Sequence, residues 1–188
     1  PFKSIKEMIA YAKANRVTYS GSSGIGSTVH VGMEHFARMS KTKLLYVPYK
    51  GSAPSIIATM GGEILMAAAS SIAASAAIRT GTVRALATLG LKRLGSMPDL
   101  PTFAEQGFPG FSISNNYSLY APAGTPPAVI SALNRVVSDG MHSPQMTARL
   151  AADGSEPAER MTPKELKAAM TKRLAEYREQ VKDLNLKF

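Results

Sequence analysis

Glycines and hydroxyl side chains are concentrated in one short stretch of the chain, Tyr19-Ser-Gly-Ser-Ser-Gly-Ile-Gly-Ser-Thr-Val-His30. It joins a β-prone segment to an amphipathic helix, and backbone N–H groups at a helix N-terminus have no intrahelical partner and attract anions. Glycine lets the backbone approach a ligand closely, and serine adds hydroxyl donors. The stretch therefore predicts an anion-binding loop. The residues with these properties are Gly21, Ser22, Ser23, Gly24, Gly26, Ser27 and Thr28. His30, by itself, is best explained as a polar contact at the mouth of the loop.

A second polar loop, Val47-Pro-Tyr-Lys-Gly-Ser-Ala-Pro54, follows the next β-prone segment. Tyr49, Lys50 and Gly51 are expected at the carboxyl edge of the sheet, where open α/β sheets bind ligands. Taken alone, Tyr49 is equally well explained as a surface aromatic and Lys50 as a solvated charge. Two neighbouring polar loops favour a shared binding site.

Two kinds of hydrolase are alternatives for the first loop. Its sequence differs from the phosphate-binding pattern G-x-x-x-x-G-K-[ST] at one position, because Ser27 replaces the lysine that contacts the β- and γ-phosphates. The esterase pattern G-x-S-x-G also fails, because Ile25 stands where the last glycine belongs. Nucleotide or ester hydrolysis thus stays the runner-up to simple anion capture. His30, Glu34 and His35 are poorly spaced for a metal site, and none is predicted.

The charge of the chain is unevenly distributed. The net charge of +9 comes mostly from residues 1–110, where 12 Lys and Arg face 5 Asp and Glu. This imbalance favours an acidic partner, but the cations are scattered and aromatics are few, so nucleic acid is not expected. The chain has no cysteine, which excludes disulfides and thiolate metal sites. No apolar run reaches the ~20 residues of a membrane span.

Hydrophobic periodicity alternates between that of helices and that of strands. Helices are predicted over 4–15, 27–40, 53–60, 70–79, 126–142, 144–152 and 162–185, with a short helical piece over 102–106. Strands are predicted over 17–20, 44–47, 64–68, 83–89 and 111–120. Alternating strands and helices indicate an α/β fold with a mostly parallel sheet flanked by helices. We place a boundary near Gly110, dividing the chain into 1–110 and 111–188.

Several long motifs, in order along the chain, resemble the substrate-binding proteins of tripartite tricarboxylate transporters, the TctC or Bug family. Besides the two loops, they include Ser4-Ile-Lys-Glu-Met-Ile-Ala-Tyr-Ala-Lys-Ala-Asn15, Val83-Arg-Ala-Leu-Ala87, Leu100-Pro-Thr-Phe-Ala-Glu-Gln-Gly107 and Leu119-Tyr-Ala-Pro-Ala-Gly-Thr-Pro-Pro127. The resemblance implies a periplasmic-binding-protein-like fold of type II, in which two α/β lobes close on a small carboxylate.

The resemblance also implies a function without catalysis or a cofactor, namely capture of an organic acid in the periplasm for delivery to membrane transporter subunits. Residues 1–110 correspond to the second, ligand-binding lobe, and 111–188 to the segment that returns to the first lobe. The resemblance implies that the ligand-binding residues are Ser22, Ser23, Gly24, Gly26, Ser27 and His30 in the first loop, with Tyr49, Lys50, Gly51 and Ala53 in the second. Family members have an aspartate at the position of Leu65, which is expected near the ligand edge.

The resemblance further implies that the N-terminal segment of the first lobe is missing from this sequence. Residues 111–188 would then lack their sheet partners and expose apolar surface. A third interpretation follows from this expectation: an interaction module that self-associates through that surface.

Overall fold

The computed structural model describes residues 1–21, 23–114, 116–152 and 155–184. Three parallel strands form one sheet in the order β2-β1-β3, with β1 (Val17–Gly21) between β2 (Leu44–Tyr46) and β3 (Met66–Ala68). Tyr19 is in register with both Tyr46 and Met66. The α/β fold with a parallel sheet is confirmed, and the strands predicted over 17–20, 44–47 and 64–68 are found, the last two shorter than expected.

Helices precede, connect and follow the strands. They are α1 (Ile5–Ala14), α2 (Thr28–Met39), α3 (Ser52–Met60), α4 (Ser71–Arg79), α5 (Pro127–Met141), α6 (Pro144–Ala152) and α7 (Pro163–Leu184). The first begins where predicted, since the Ser4 hydroxyl accepts a hydrogen bond from Glu7 N–H at 3.1 Å. The last begins with a capping box between Thr162 and Glu165. None of the described helices is long and apolar enough to cross a membrane.

The core lies between the sheet and the amphipathic faces of α1 and α2. Phe36 of α2 is fully buried, and its ring lies 4.9 to 5.7 Å from those of Phe103, Phe108 and Phe111. Ile113 also belongs to this core. The core therefore continues a few residues past the boundary predicted near Gly110, and the division of the chain into two parts stays a prediction.

The strand predicted over 83–89 is wrong. Only Thr88 makes an isolated bridge, with Thr102, and its N–H donates to the carbonyl of Pro101 at 2.9 Å. The Leu86 carbonyl accepts a hydrogen bond from the Gln106 side chain at 2.9 Å. Loop and side-chain partners thus take the backbone groups that a neighbouring strand would have used. The short helical piece predicted over 102–106 is not found: Thr102 pairs with Thr88, and residues 103–107 form turns.

The long strand predicted over 111–120 is also wrong for the residues described, which exclude Asn115. Ile113 N–H bonds to the Leu89 carbonyl at 2.7 Å, and Arg173 donates to the Ser114 carbonyl at 2.5 Å. Beyond them Tyr117 is 95% exposed. The alternating pattern is present, but no described strand lies alongside to pair with it.

Candidate functional site

The carboxyl edge of the sheet is where α2, α3 and α4 begin, because each follows directly after one of the three parallel strands. Ser27 caps α2 by accepting a hydrogen bond from His30 N–H at 3.2 Å, and Ser70 caps α4 by accepting from Ala73 N–H at 3.3 Å. The N-cap of α3 is Gly51, at φ 112°, and makes no side-chain cap. Three helix N-termini with their partial positive charge therefore face the same edge.

The first predicted loop follows β1 and leads into α2. Gly24 and Gly26 have φ values of 80° and 75°, conformations that favour glycine. Ser27 N–H donates to the Gly24 carbonyl at 3.4 Å, which turns the loop back toward the helix. Ser23 lies in the same loop, and Ser22 falls outside the described residues. Gly24 and Gly26 are thus favoured by their positive φ rather than by lack of space, since a Cβ added at Gly24 would meet no atom within 4 Å.

His30 lies beneath this loop rather than on its open side. Its side chain is buried, its Nδ1 accepts a hydrogen bond from Gly26 N–H at 3.0 Å, and its ring contacts that of Tyr46 with centroids 4.1 Å apart. Its Nε2 lies 3.9 Å from Glu34 Oε1. Nδ1 thus faces Gly26, and Nε2 faces Glu34. In a serine hydrolase, by contrast, one ring nitrogen accepts a hydrogen bond from the catalytic serine.

A buried polar cluster continues below His30. Tyr19 of β1 donates to Glu34 Oε1 at 2.7 Å, and burial together with this carboxylate raises the pKa of the Tyr19 hydroxyl. Burial also raises the pKa of Tyr46, a shift that the Gly21 backbone opposes. The Tyr46 hydroxyl is buried and meets no hydrogen-bond partner of good geometry among the described residues. These groups support the loop from inside the fold.

The residues of the second predicted loop differ in their surroundings. Lys50 and Ala53 are exposed, and Gly51 begins α3. The Tyr49 hydroxyl instead donates to Glu63 at 3.1 Å, and Glu63 precedes β3 by three residues, on the amino side of the sheet. Burial, followed by this carboxylate, raises the pKa of Tyr49. In this structure the Tyr49 hydroxyl is held away from the first loop.

A third loop, after β3, was missed by the sequence reasoning. Ser70 and Ser71 follow β3 after one residue, Ala69, and Ser70 N–H donates to the Ser52 hydroxyl at 3.2 Å, which joins the starts of α3 and α4. The signal was present, since a Ser-Ser pair after an apolar strand has the same form as the start of the first loop. It was interpreted only as a helix start.

Leu65, expected near the ligand edge, immediately precedes the first residue of β3 rather than following its last one. Leu65 N–H bonds to the Thr18 carbonyl at 3.2 Å, just before β3 begins, and its side chain packs against the core. The carboxyl edge of the sheet, where the candidate loops lie, is at the other end of β3, beyond Ala68. An aspartate at this position would lie at the opposite end of the strand from the loops.

Residues 1–186 match the sequence profile described as tripartite tricarboxylate transporter family receptor. The chain belongs to this family. A UPF0065 protein from the gbd 5′ region of Cupriavidus necator is 36% identical over 84% of the chain. The R. palustris protein Rpa4515, solved with adipate, superposes with a TM-score of 0.86 at 30% identity over 98% of the chain. The periplasmic binding protein BugD gives a TM-score of 0.84 at 28% identity over the whole chain.

This receptor-family chain spans 48% of the Cupriavidus relative and 62 to 63% of the two solved structures. The family resemblance seen in the motifs is thereby confirmed, as is the periplasmic-binding-protein-like fold. Among the described residues no group of three or more His, Asp or Glu is placed to hold a metal ion.

Proposed function

We propose that this chain captures a small organic carboxylate at the carboxyl edge of its sheet, without catalysis, and presents it to a membrane transporter outside the cytoplasm. The observation that carries the proposal is the common start of α2, α3 and α4 at one edge, with α3 uncapped by any side chain. Backbone N–H groups there favour a carboxylate, and Lys50 adds an exposed positive charge. The related structure solved with adipate supports a dicarboxylate.

We place the contacts of this site on the predicted loop residues, with two changes drawn from the geometry. Ser23, Gly24, Gly26 and Ser27 would offer N–H and hydroxyl donors, and Ser22 stays in the proposal from the sequence alone. The second loop would contribute contacts from Lys50, Gly51 and Ala53. The Ser70–Ser71 loop is added, while His30 and Tyr49 are assigned to support rather than to contact.

The proposed division at Gly110 is supported by the surface of α5. None of its residues is buried, and it exposes the apolar side chains of Val129, Leu133, Val136 and Val137. This chain spans only about half the length of the Cupriavidus relative. We infer that 111–184 would pack against polypeptide equivalent to the remaining part of that relative, forming the opposite wall of the cleft.

A titration with adipate followed by amide NMR tests the proposal. We expect adipate to shift the amide signals of Gly24, Gly26, Ser27, Gly51 and Ala53, and adipamide, which lacks the charges, to leave them in place. Binding will be weak, because closure of two lobes normally surrounds a ligand and excludes water. Succinate and citrate added in the same way define the preferred length.

Lys50→Gln and Lys92→Gln form a matched pair for this titration. Both lysines are exposed, but Lys92 belongs to none of the three loops. Removing a charged hydrogen-bond donor at Lys50 should weaken adipate binding about tenfold, whereas Lys92→Gln should leave it unchanged. Equal effects of the two changes, or shifts spread evenly over α5 and α7, would rule out the site.

A further inference from the structure

Both backbone polar groups of one residue in the first loop, Gly26, are held by side chains from other elements. Gly26 N–H donates to His30 Nδ1 at 3.0 Å, and the Gly26 carbonyl accepts a hydrogen bond from the Tyr177 hydroxyl. His30 belongs to α2, and Tyr177 to α7, which packs on α2. The loop residue at φ 75° is therefore clamped from two sides.

This clamp requires a neutral imidazole. A nitrogen that accepts a hydrogen bond from an amide carries no proton, so the ring proton of His30 is assigned to Nε2, which faces Glu34 at 3.9 Å. Protonation would place a second donor at Nδ1, opposite Gly26 N–H. Two donors cannot share that 3.0 Å contact, and one of them must move away.

The groups facing His30 come from several elements. Glu34 lies on the same helix, Tyr19 reaches Glu34 from β1, Tyr46 stacks on the ring from β2, and Tyr177 arrives at the adjoining Gly26 from α7. Glu34 favours the imidazolium, but burial disfavours it more strongly and lowers the pKa of His30. Burial keeps the three tyrosines protonated by raising the pKa of each.

We propose that His30 is a positioning residue that holds the first loop in its anion-receptive form through Gly26, and that its protonation releases the loop and weakens carboxylate capture. This inference rests on the proposed function for its binding consequence. The structural part stands by itself, because the Gly26 clamp is made entirely by residues of this chain. His30 acts through the loop backbone and makes no contact with the carboxylate.

The test compares His30→Asn with His35→Asn in the otherwise unchanged chain. Asparagine at position 30 offers Oδ1 in place of Nδ1 and does not titrate, while His35 is the exposed neighbour on the same helix. Adipate is titrated between pH 7.5 and 4.5, because burial lowers the pKa of His30, and each dissociation constant is divided by that of His30→Asn at the same pH. The ratio cancels protonation of adipate itself.

We expect the ratio for the unchanged chain to rise about tenfold as the pH falls, because one hydrogen bond of the loop is lost. His35→Asn should follow the unchanged chain. A ratio that stays flat, or a His30→Asn chain as acid-sensitive as the original, would overturn the proposal.

A second measurement needs no ligand. Nitrogen-15 spectra of His30 should show the proton on Nε2 at pH 7.5, and exchange of the Gly26 amide should accelerate about tenfold when His30 titrates. A proton on Nδ1 at pH 7.5, or an unaffected Gly26 amide, would disprove the clamp even if adipate binds. Absence of adipate binding in the unchanged chain at pH 7.5 contradicts the proposed function alone, since these spectra still decide the role of His30.

Discussion

Ser27 performs two tasks at the start of α2. Its hydroxyl caps the helix by accepting from His30 N–H, and the same residue belongs to the loop proposed to hold a carboxylate. A hydroxyl that satisfies an unpaired helix N–H contributes to folding as well as to binding. Any change at Ser27 therefore has to be measured for stability before a change in binding is interpreted.

Ser27→Ala should lower the free energy of unfolding by about 1 kcal/mol, because the N-cap hydrogen bond is lost. Ser75→Ala is the control, since Ser75 lies inside α4, where its hydroxyl bonds only to the Ile72 carbonyl within one turn. That change should stay within about 0.5 kcal/mol of the original chain. Urea denaturation followed by circular dichroism measures the free energy of unfolding of both variants. Equal losses of stability would show that the Ser27 cap does not stabilise the fold.

The pKa of His30 links residue chemistry to the stability of the fold. Burial lowers this pKa, so the folded chain binds the proton less readily than the unfolded chain does. The stabilisation is complete above the ordinary imidazole pKa of about 6.5 and is lost as the pH falls through the lowered value. His30→Asn should remove the contribution of His30 to the pH dependence of the free energy of unfolding. The acid sensitivity that remains in this variant comes from other groups, such as carboxylates.

At the scale of elements, α2 packs closely against the segment that follows Gly110. A Cβ atom added to Gly32 would lie 2.5 Å from the Cγ1 and Cδ1 atoms of Ile113, which is buried. The glycine lets residues 111–114 pass directly over the helix. The same segment is tied to α7 through Arg173, so the helix, the segment and α7 form one packed unit.

Gly32→Ala should destabilise the chain by about 1–3 kcal/mol, because the added methyl group overpacks the contact with Ile113. Gly140→Ala provides the matched control: Gly140 also lies inside a helix, α5, and its added Cβ would meet no atom within 4 Å. That change should be neutral or stabilising by up to about 1 kcal/mol, from helix propensity. Thermal unfolding compares the two, and a stabilised Gly32→Ala chain would contradict the close contact.

The three sheet strands could be predicted from the sequence because short apolar runs alternated with amphipathic helices. The run over 83–89 has similar character, yet its backbone bonds to Gln106 and Pro101, and nothing in the local pattern specifies those partners. The glycine loop was predictable from composition. The contact between Gly26 and Tyr177 was not, because the two residues are 151 positions apart and no periodicity connects them.

At the scale of the whole molecule, apolar surface is concentrated in the second half of the chain. Tyr117, Leu119 and Tyr120 are exposed after the core ends, and Val136 of α5 is 66% exposed. Contiguous apolar surface of this kind favours association. This surface supports both the proposed packing of 111–184 against further polypeptide and the alternative of self-association, which stays a prediction.

We expect the 188-residue chain to self-associate with rising concentration, and Val136→Glu to reduce that association, because a carboxylate on the α5 face opposes its burial. Leu91→Glu is the control, since Leu91 is similarly exposed but lies in a turn of the first half. Light scattering over a concentration series measures the mass. A chain that stays monomeric throughout, or an equal effect of both changes, would contradict association through α5.

The hydrogen bond between Tyr177 and the Gly26 carbonyl has a thermodynamic consequence for α7. If the position of α7 changes the affinity of the first loop for an anion, the bound anion must change the stability of α7 by the same factor, since coupling between two sites is reciprocal. A helix near the end of the chain would then respond to the arrival of a ligand at a loop near its beginning. Any surface that contacts α7 would sense whether the receptor is loaded.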